Sequence, residues 1–197
     1  MPINNKKLRQ VGAIALIATL PLAGIATASA ATSPLYVGVN GEMTSGFSGF
    51  GSAVGFGIYG GYRLPVHLWR LHTAVEVGYN HFGSMNEHGL AGSGLTGKVT
   101  GHDETVTAVF SYPVMRRLSV YVRAGLAFTN LTYTQTGNGS SLSVSGSGTN
   151  GVFGVGAQYH VTRHIGVHIG YRSTGANISG LSSGSLGTFD FGGSYSF

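Results

Sequence analysis

Apolar and polar residues alternate one by one along most of the chain after residue 35. Between Leu118 and Tyr133, the apolar set is Val120, Val122, Ala124, Leu126 and Phe128. Because successive side chains of a β-strand point to opposite faces, this pattern predicts a strand with one apolar face. The last stretch, Gly187–Phe197, shows the same alternation and predicts a closing strand that pairs with the first, since an aromatic strand left at a sheet edge invites aggregation.

Eight alternating segments follow one another, with connections that are alternately long and short. They begin near Leu35, Val54, Leu71, Asp103, Leu118, Gly151, Ile165 and Gly187. Pro65 is expected to end the second segment. Four glycine- and serine-rich stretches are predicted to be loops: Ser45–Gly51, Ser84–Gly101, Gln135–Asn150 and Gly175–Ser185. The predicted fold is all-β, an eight-stranded antiparallel up-and-down barrel.

The low charge content decides which face of this barrel points outward. Only 9% of the residues are charged, whereas a soluble barrel needs roughly a quarter to a third of its surface charged. A transmembrane barrel places apolar side chains toward lipid and small or polar ones inside. The opposite facing would turn Glu76, Arg123, His168 and Asp190 into hydrocarbon, at a cost of roughly 2 to 4 kcal/mol for an Arg near the midplane. The sequence therefore predicts a transmembrane β-barrel.

The N-terminus has the pattern of an export signal. Lys6, Lys7 and Arg9 precede an apolar run over Val11–Ala26, and Ala28-Ser29-Ala30 forms a small-residue cleavage site. We predict a cleaved signal peptide over residues 1–30 and a barrel domain over residues 31–197. Three of the eleven Lys and Arg residues lie in this leader, so residues 31–197 carry eight against six Asp and Glu, a net charge of +2. Nucleic acid is not an expected partner.

The order of long and short connections predicts the orientation. Bacterial outer-membrane barrels have long extracellular loops and short periplasmic turns. Both ends of the mature chain are therefore expected in the periplasm of a Gram-negative cell, with the barrel in the outer membrane. Tyr62, Trp69, Tyr112, Tyr159, Tyr195 and Phe197 are expected to form an aromatic girdle at the periplasmic end.

Several short words of the sequence, in order, resemble the transmembrane barrel of the outer-membrane protein A family. They are Gly60-Gly61-Tyr62-Arg63, Val75-Glu76-Val77-Gly78-Tyr79-Asn80, Tyr112-Pro113-Val114, Val120-Tyr121-Val122-Arg123-Ala124-Gly125, Val155-Gly156-Ala157-Gln158-Tyr159 and Ser194-Tyr195-Ser196-Phe197. The resemblance implies a small eight-stranded outer-membrane barrel of the porin-like type. It also implies that the barrel assembly machinery reads the terminal aromatics Tyr195 and Phe197. The interior departs from the family at Val109, Gln158 and His168, where relatives can carry charged residues.

The inward positions supply the candidate functional residues. The ion-pair candidates of the lumen are Glu42, Glu76, Asp103, Arg123, Arg172 and Asp190, and its polar candidates are His72, Gln158 and His168. We expect Glu76 to pair with Arg123 and Asp190 with Arg172. Because eight strands leave an interior just wide enough for side chains, these groups are expected to plug the lumen. A narrow pore for ions or small solutes is the alternative.

Other chemistry receives little support from the sequence. Gly55-Phe56-Gly57-Ile58-Tyr59-Gly60 matches a dinucleotide fingerprint, but alternation runs through it where a helix would be needed. The eight histidines are scattered, so neither a metal nor a cofactor is expected. Some outer-membrane barrels modify lipid A, and their deacylase type carries a lipid-facing His-x-Ser. No His-x-Ser occurs here, so an enzyme is the least favoured reading.

The expected role is therefore structural: a membrane scaffold that displays four extracellular loops. Its expected partners are outer-membrane lipid and lipopolysaccharide, together with the barrel assembly machinery during insertion. The loops are the expected place for contacts with a host surface or phage, because binding residues concentrate on loops held by a rigid framework.

Overall fold

The computed structural model of the protein describes residues 33–45, 51–68, 70–86, 95–137, 140–176 and 184–197. The predicted signal peptide and Trp69 lie outside the described residues. Among those residues, no helix long and apolar enough to cross a membrane is found.

Eight β-strands make up the described chain. They are β1 (Leu35–Ser45), β2 (Ala53–Leu68), β3 (Leu71–Asn86), β4 (Leu95–Pro113), β5 (Leu118–Gly137), β6 (Ser140–His160), β7 (Ile165–Ala176) and β8 (Gly184–Ser196). Each strand pairs antiparallel with the next, and β1 pairs with β8, so that the sheet closes into a barrel. The predicted fold and the predicted pairing of the last strand with the first are confirmed.

The two ends of the barrel differ. The short connections 114–117 and 161–164 lie at the same end as Leu35 and Ser196, and we call this the turn end. We call the opposite end the loop end. At the turn end, the amide of Ser33 donates a hydrogen bond to the carbonyl of Phe197 at 2.6 Å, which ties the two ends of the described barrel together.

The apolar face of each strand lies on the outside, as the alternation predicts. On β7 and β8, Ile169 and Phe191 leave 64% and 68% of their surface exposed, whereas the neighbouring Asp190 is only 3% exposed and points inward. An exterior of Val, Ile, Leu and Phe is unfavourable in water and suited to lipid. Within the lipid-facing band, the facing of the strands therefore follows from one requirement, that charged side chains stay out of hydrocarbon.

The strands extend into stretches that the composition predicts to be loops. β3 continues to Asn86 and β4 starts at Leu95, within the predicted loop Ser84–Gly101. β5 and β6 together occupy all but residues 138–139 of the predicted loop Gln135–Asn150, with pairing out to Gly137 and Ser140. The loop prediction is wrong here because a polar composition indicates contact with water, not the absence of backbone pairing. Polar hairpin strands can project beyond a membrane and remain fully paired.

The expectation that Pro65 ends the second strand is also wrong. β2 continues to Leu68, and its pairing with β3 is irregular between Arg63 and His67. Proline lacks the N–H that a regular ladder needs, so within sheets it is found at edges or bulges. The irregularity accommodates Pro65 without ending the strand.

Because the apolar faces point outward, the stability lost on a charged substitution should depend strongly on its height along the barrel. Val122→Arg, on the apolar exterior of β5, should lower the free energy of unfolding by about 2 to 4 kcal/mol if it lies near the midplane. Thr132→Arg, on the same face but in the projecting polar part of β5, should change it by less than about 1 kcal/mol. Urea unfolding in lipid vesicles measures both. Equal losses in the two variants would contradict the assigned lipid-facing band.

Candidate functional site in the barrel interior

The interior side chains form three zones between the turn end and the loop end. A cavity at the turn end is followed by a layer of buried charged and amide side chains and then by a buried apolar cluster. We call them the turn-end cavity, the charged layer and the apolar cap. The order can be followed along β5, whose inward residues are Tyr121 and Arg123 in the first zone, Thr129 in the second and Leu131 in the third.

The turn-end cavity has a volume of about 270 Å³ and holds five of the predicted interior residues: His72, Glu76, Arg123, Gln158 and His168. Glu76 and Arg123 are not paired with each other in the structure. Tyr36 Oη donates to Glu76 Oε1 at 2.7 Å, and Arg123 Nη2 donates to Tyr121 Oη at 2.9 Å. Each of the two charged groups is thus bound by a tyrosine hydroxyl, and the predicted Glu76–Arg123 ion pair is not formed.

Three tyrosine rings lie inside the barrel, and glycines make room for them. Each ring lies over a glycine of the neighbouring strand: Tyr36 over Gly61, Tyr59 over Gly38, and Tyr121 over Gly156. A Cβ atom at any of these glycines would collide with the ring it faces. The inward glycines are therefore the partners of large side chains, which explains why a narrow barrel can enclose three tyrosines.

Arg172 is the centre of the charged layer. Its Nη2 atom lies 3.2 Å from Glu42 Oε2 and 3.3 Å from Glu42 Oε1, and its Nη1 atom lies 3.8 Å from Asp103 Oδ1. Asn40 donates to Glu42 and Asn80 to Asp103, both at 2.6 Å. One guanidinium from β7 thus joins carboxylates from β1 and β4 across the lumen. The two amides satisfy further carboxylate lone pairs, as a buried ion pair requires.

Asp190 has a different partner from the one expected. It lies 3.7 Å from His168 Nε2, and the other ring nitrogen of His168 is 3.4 Å from Tyr59 Oη. The predicted Asp190–Arg172 pair is not formed, because Arg172 is occupied by Glu42 and Asp103. Tyr59, His168 and Asp190 instead form a polar chain that connects the turn-end cavity with the charged layer.

The apolar cap lies on the loop side of the charged layer. It consists of buried side chains from five strands: Ala53, Phe82, Met85, Val99, Leu131 and Leu186. Phe82 and Leu186 are each 1% exposed. A bulge in β3 adds Met85 to the cap, and Gly83 within it has a φ of 74°, a conformation that favours glycine. The extra residue in β3 lets both Phe82 and Met85 point inward.

Sequence reasoning missed the cap because it placed Met85 and Val99 in a loop. The available signal was Phe82-Gly83, where the alternation of β3 changes phase. Glycine in a strand often marks a bulge, so a phase change at a glycine could have indicated it.

The structure also places polar residues on the outside of the barrel, at the loop-end border of the apolar band. His81, His102 and Asn130 lie side by side on β3, β4 and β5, with Glu104 next to His102 on the same face. The ring of His102 stacks on Tyr79 with centroids 5.4 Å apart. Polar side chains beside aromatic rings are typical of the level of lipid headgroups. This row was not identified from the sequence.

The terminal aromatics lie on the outside at the turn end. Tyr195 and Phe197 are about half exposed, with ring centroids 5.3 Å apart. Tyr62, Tyr112 and Tyr159 are exposed on the same end of the barrel. These positions correspond to an aromatic girdle at the turn-end border of the lipid-facing band.

Comparison with known proteins identifies the family to which the chain belongs. A family model for the OmpA-like transmembrane domain matches residues 39–182. Outer membrane protein P5 of Haemophilus influenzae is 31% identical over 178 residues, which cover 81% of this chain and 50% of that protein. The chain spans about half the length of the curated relatives it matches.

Solved structures share the fold at lower identity. Neisserial surface protein A superimposes with a TM-score of 0.57 at 20% identity, covering 85% of this chain and 99% of that one. The N-terminal β-barrel domain of Pseudomonas aeruginosa OprF gives 0.52 at 18% identity, covering 85% and 100%. Ail, the attachment invasion locus protein of Yersinia pestis, gives 0.51 at 16% identity, covering 83% and 96%.

Fold, lipid-facing exterior and relatives together define the protein as a small β-barrel of the outer membrane. It belongs to the OmpA-like transmembrane domain family. The resemblance expected from the short sequence words and the expected location in the outer membrane are both confirmed.

Removing Arg172, the central cation of the charged layer, should lower the free energy of unfolding substantially. Arg172→Met leaves Glu42 and Asp103 buried without their guanidinium, and breaking a buried ion pair in this way typically costs about 3 to 5 kcal/mol. Urea unfolding should show this loss, whereas Arg163→Met in an exposed turn should change little. Adding Glu42→Gln and Asp103→Asn to Arg172→Met should recover much of the stability. A triple variant as unstable as the single variant would contradict the assignment.

The glycine–tyrosine contacts predict a specific rescue. Gly38→Val should destabilise the barrel by at least about 1 to 3 kcal/mol, because its side chain would occupy the space of the Tyr59 ring. Tyr59→Ala should restore part of this loss in the double variant, although alone it is destabilising. Thermal unfolding of the four proteins gives the coupling between the two positions. Strictly additive losses would show that the ring and Gly38 do not share that space.

Proposed function

We propose that the protein is a closed outer-membrane scaffold. Its loop end is displayed outside the cell, and its turn end, with the start of β1 and the end of β8, lies in the periplasm. The observation that carries this proposal is the succession of two buried zones in the lumen, the charged layer and the apolar cap. Neither is a single side chain that could swing aside, since each draws residues from several strands. Membership of the OmpA-like transmembrane domain family supports the placement of the barrel in the outer membrane.

Ion passage would have to overcome both zones. An ion passing the apolar cap would leave its hydration shell among Phe82, Met85 and Leu186, and apolar constrictions block conduction by excluding water. In the charged layer, Arg172 is held between carboxylates of β1 and β4. Opening a path there would separate buried opposite charges, which is expensive in a low-dielectric interior.

The loop end supports contacts outside the membrane. β5 and β6 remain paired from the apolar band out to Gly137 and Ser140, so this hairpin forms a projecting ribbon. Its outward face carries hydroxyl groups, and Thr132 and Ser145 lie 3.1 Å apart across the two strands. Hydroxyl rows with little charge suit hydrogen bonding to sugars such as those of lipopolysaccharide. Contacts with a host surface or phage would use the same end.

The polar row beneath this ribbon would meet the headgroups of the outer leaflet. His81, His102, Glu104 and Asn130 lie at the border between the apolar band and the projecting sheet. Their imidazole, carboxylate and amide groups can hydrogen-bond to lipid headgroups or to water there. This row fits lipopolysaccharide as the neighbouring lipid on β3 to β5.

At the turn end, Tyr195 and Phe197 support a role in assembly. Both rings are on the outside of the closing strand, where a membrane insertion machinery could reach them before the barrel closes. The barrel assembly machinery is the proposed partner. Because β8 must pair with β1 to close the sheet, recognition of this strand would act at the last step of folding.

A non-enzymatic role agrees with the relatives. The matching family and the curated relatives are described as outer-membrane proteins and not as enzymes. The lumen of an eight-stranded barrel is narrow, so a lipid substrate has no room inside it.

Planar-bilayer recording tests the closed lumen. We expect no discrete openings from the protein purified from membranes, and none from Glu76→Ala, because Glu76 lies in the turn-end cavity while the two closing zones lie beyond it. Different gel mobility before and after boiling in SDS would establish that both samples are folded barrels. Discrete openings of the wild type that change in Glu76→Ala would instead favour the narrow pore, with Glu76 in its path.

A further inference from the structure

Two arginines enter the turn-end cavity without a carboxylate partner. Arg63 Nη2 donates to Ser196 Oγ at 2.7 Å, and Arg123 Nη2 donates to Tyr121 Oη at 2.9 Å. Neither arginine takes part in the ion pairs formed between described residues. Inside a protein, a guanidinium is usually neutralised by an anion, since an uncompensated charge away from bulk water is costly.

The tyrosine contacts orient both guanidinium groups, and no carboxylate oxygen of the described residues lies within ion-pair distance of either. Arg63 lies 4.9 Å from the ring centre of Tyr36, and Arg123 lies at the same distance from that of Tyr121. A cation–π contact and one hydrogen bond hold each group in place. The other N–H groups of a guanidinium remain available, in the planar arrangement that matches an oxyanion.

The charge of the cavity is positive, and that of the next zone is not. Glu76 is the only carboxylate among the described residues that line the cavity, against Arg63 and Arg123. The hydroxyl of Tyr36 is already donated to it at 2.7 Å. In the charged layer, by contrast, Glu42 and Asp103 flank the single cation Arg172, and Asp190 lies beside His168. An anion entering from the turn end would therefore be attracted as far as the two arginines and repelled beyond them.

The cavity is accessible and large enough. Its lining includes His72, which is exposed, and Ser111, Ser119 and His160, which are half-buried, whereas Tyr36 and Tyr121, which also line it, are buried. Its volume of about 270 Å³ is several times the roughly 30 Å³ that one water occupies in the liquid. Imidazole, hydroxyl and amide groups of the wall can serve as further donors.

We propose that the turn-end cavity is a binding site for a small oxyanion, a phosphate or a carboxylate, held between Arg63 and Arg123. The site is closed toward the loop end by the charged layer and the apolar cap, so its ligand enters and leaves from the turn-end side only. The same chemistry would recognise a free anion or the terminal carboxylate of a larger molecule of the cell envelope.

Isothermal titration of the purified protein with inorganic phosphate tests the site. We expect saturable binding with one phosphate per barrel in a buffer of constant chloride concentration. Arg123→Gln and Arg63→Gln should each weaken this binding at least tenfold. Arg116→Gln is the matched control, because Arg116 is an exposed arginine of a turn outside the cavity, and it should bind phosphate as the wild type does.

Two further arms identify the source of the anion. A short peptide with a free terminal carboxylate should displace phosphate, and its C-terminally amidated form should not, if the site takes the end of a larger molecule. Displacement by acetate but not by the peptide would assign the site to free anions.

The proposal is overturned if the wild type shows no saturable phosphate binding, or if Arg123→Gln and Arg63→Gln bind as tightly as Arg116→Gln. Arg123→Lys replaces Arg123→Gln if the latter does not shift in gel mobility on boiling. It keeps the charge but loses the planar donor pair, so weaker phosphate binding is again expected. These results do not depend on whether the lumen conducts, so the closed-scaffold proposal and the anion site stand or fall separately.

Discussion

Closure of the sheet in lipid is the constraint on which the rest of the structure depends. In the hydrocarbon core no water is available to satisfy backbone N–H and C=O groups, so a spanning sheet must pair every strand on both sides. The pairing of β8 with β1 completes this requirement. Closing with eight strands in turn sets a narrow interior, which side chains alone can fill. The side chains in the lumen are therefore constrained by their size as much as by their charge and hydrogen bonding.

In the interior, large side chains lie opposite small ones. Tyrosines lie over glycines, so that large rings fit where two medium-sized side chains would not. In the charged layer, one cation likewise has two partners: Arg172 lies against two carboxylates, and the amides of Asn40 and Asn80 each donate to one of them. Toward the loop end, the apolar cap lies next to these buried charges. The turn-end cavity is the part of the lumen that is neither filled nor neutralised, and its two arginines give it the chemistry of an anion site.

The family relationship places this interior in context. The chain shares the OmpA-like transmembrane domain and covers about half of its curated relatives. It resembles solved barrels from Neisseria, Pseudomonas and Yersinia at the level of the fold. A fold shared at such low identity leaves function to specific residues.

The sequence by itself determined the number of strands, their facing and the membrane setting, because an alternation of period two has only two possible facings and one of them puts Glu76, Arg123 and Asp190 into lipid. It also identified the inward charged residues. It did not determine which of them meet, since Arg172 on β7 reaches Glu42 on β1 and Asp103 on β4 across the lumen, and such contacts depend on the stagger of a closed barrel. Strand length was decided by hairpin pairing, which a polar composition does not reveal. The place of Met85 in the apolar cap depended on one bulge at Gly83, where a single extra residue changes the facing of the rest of β3.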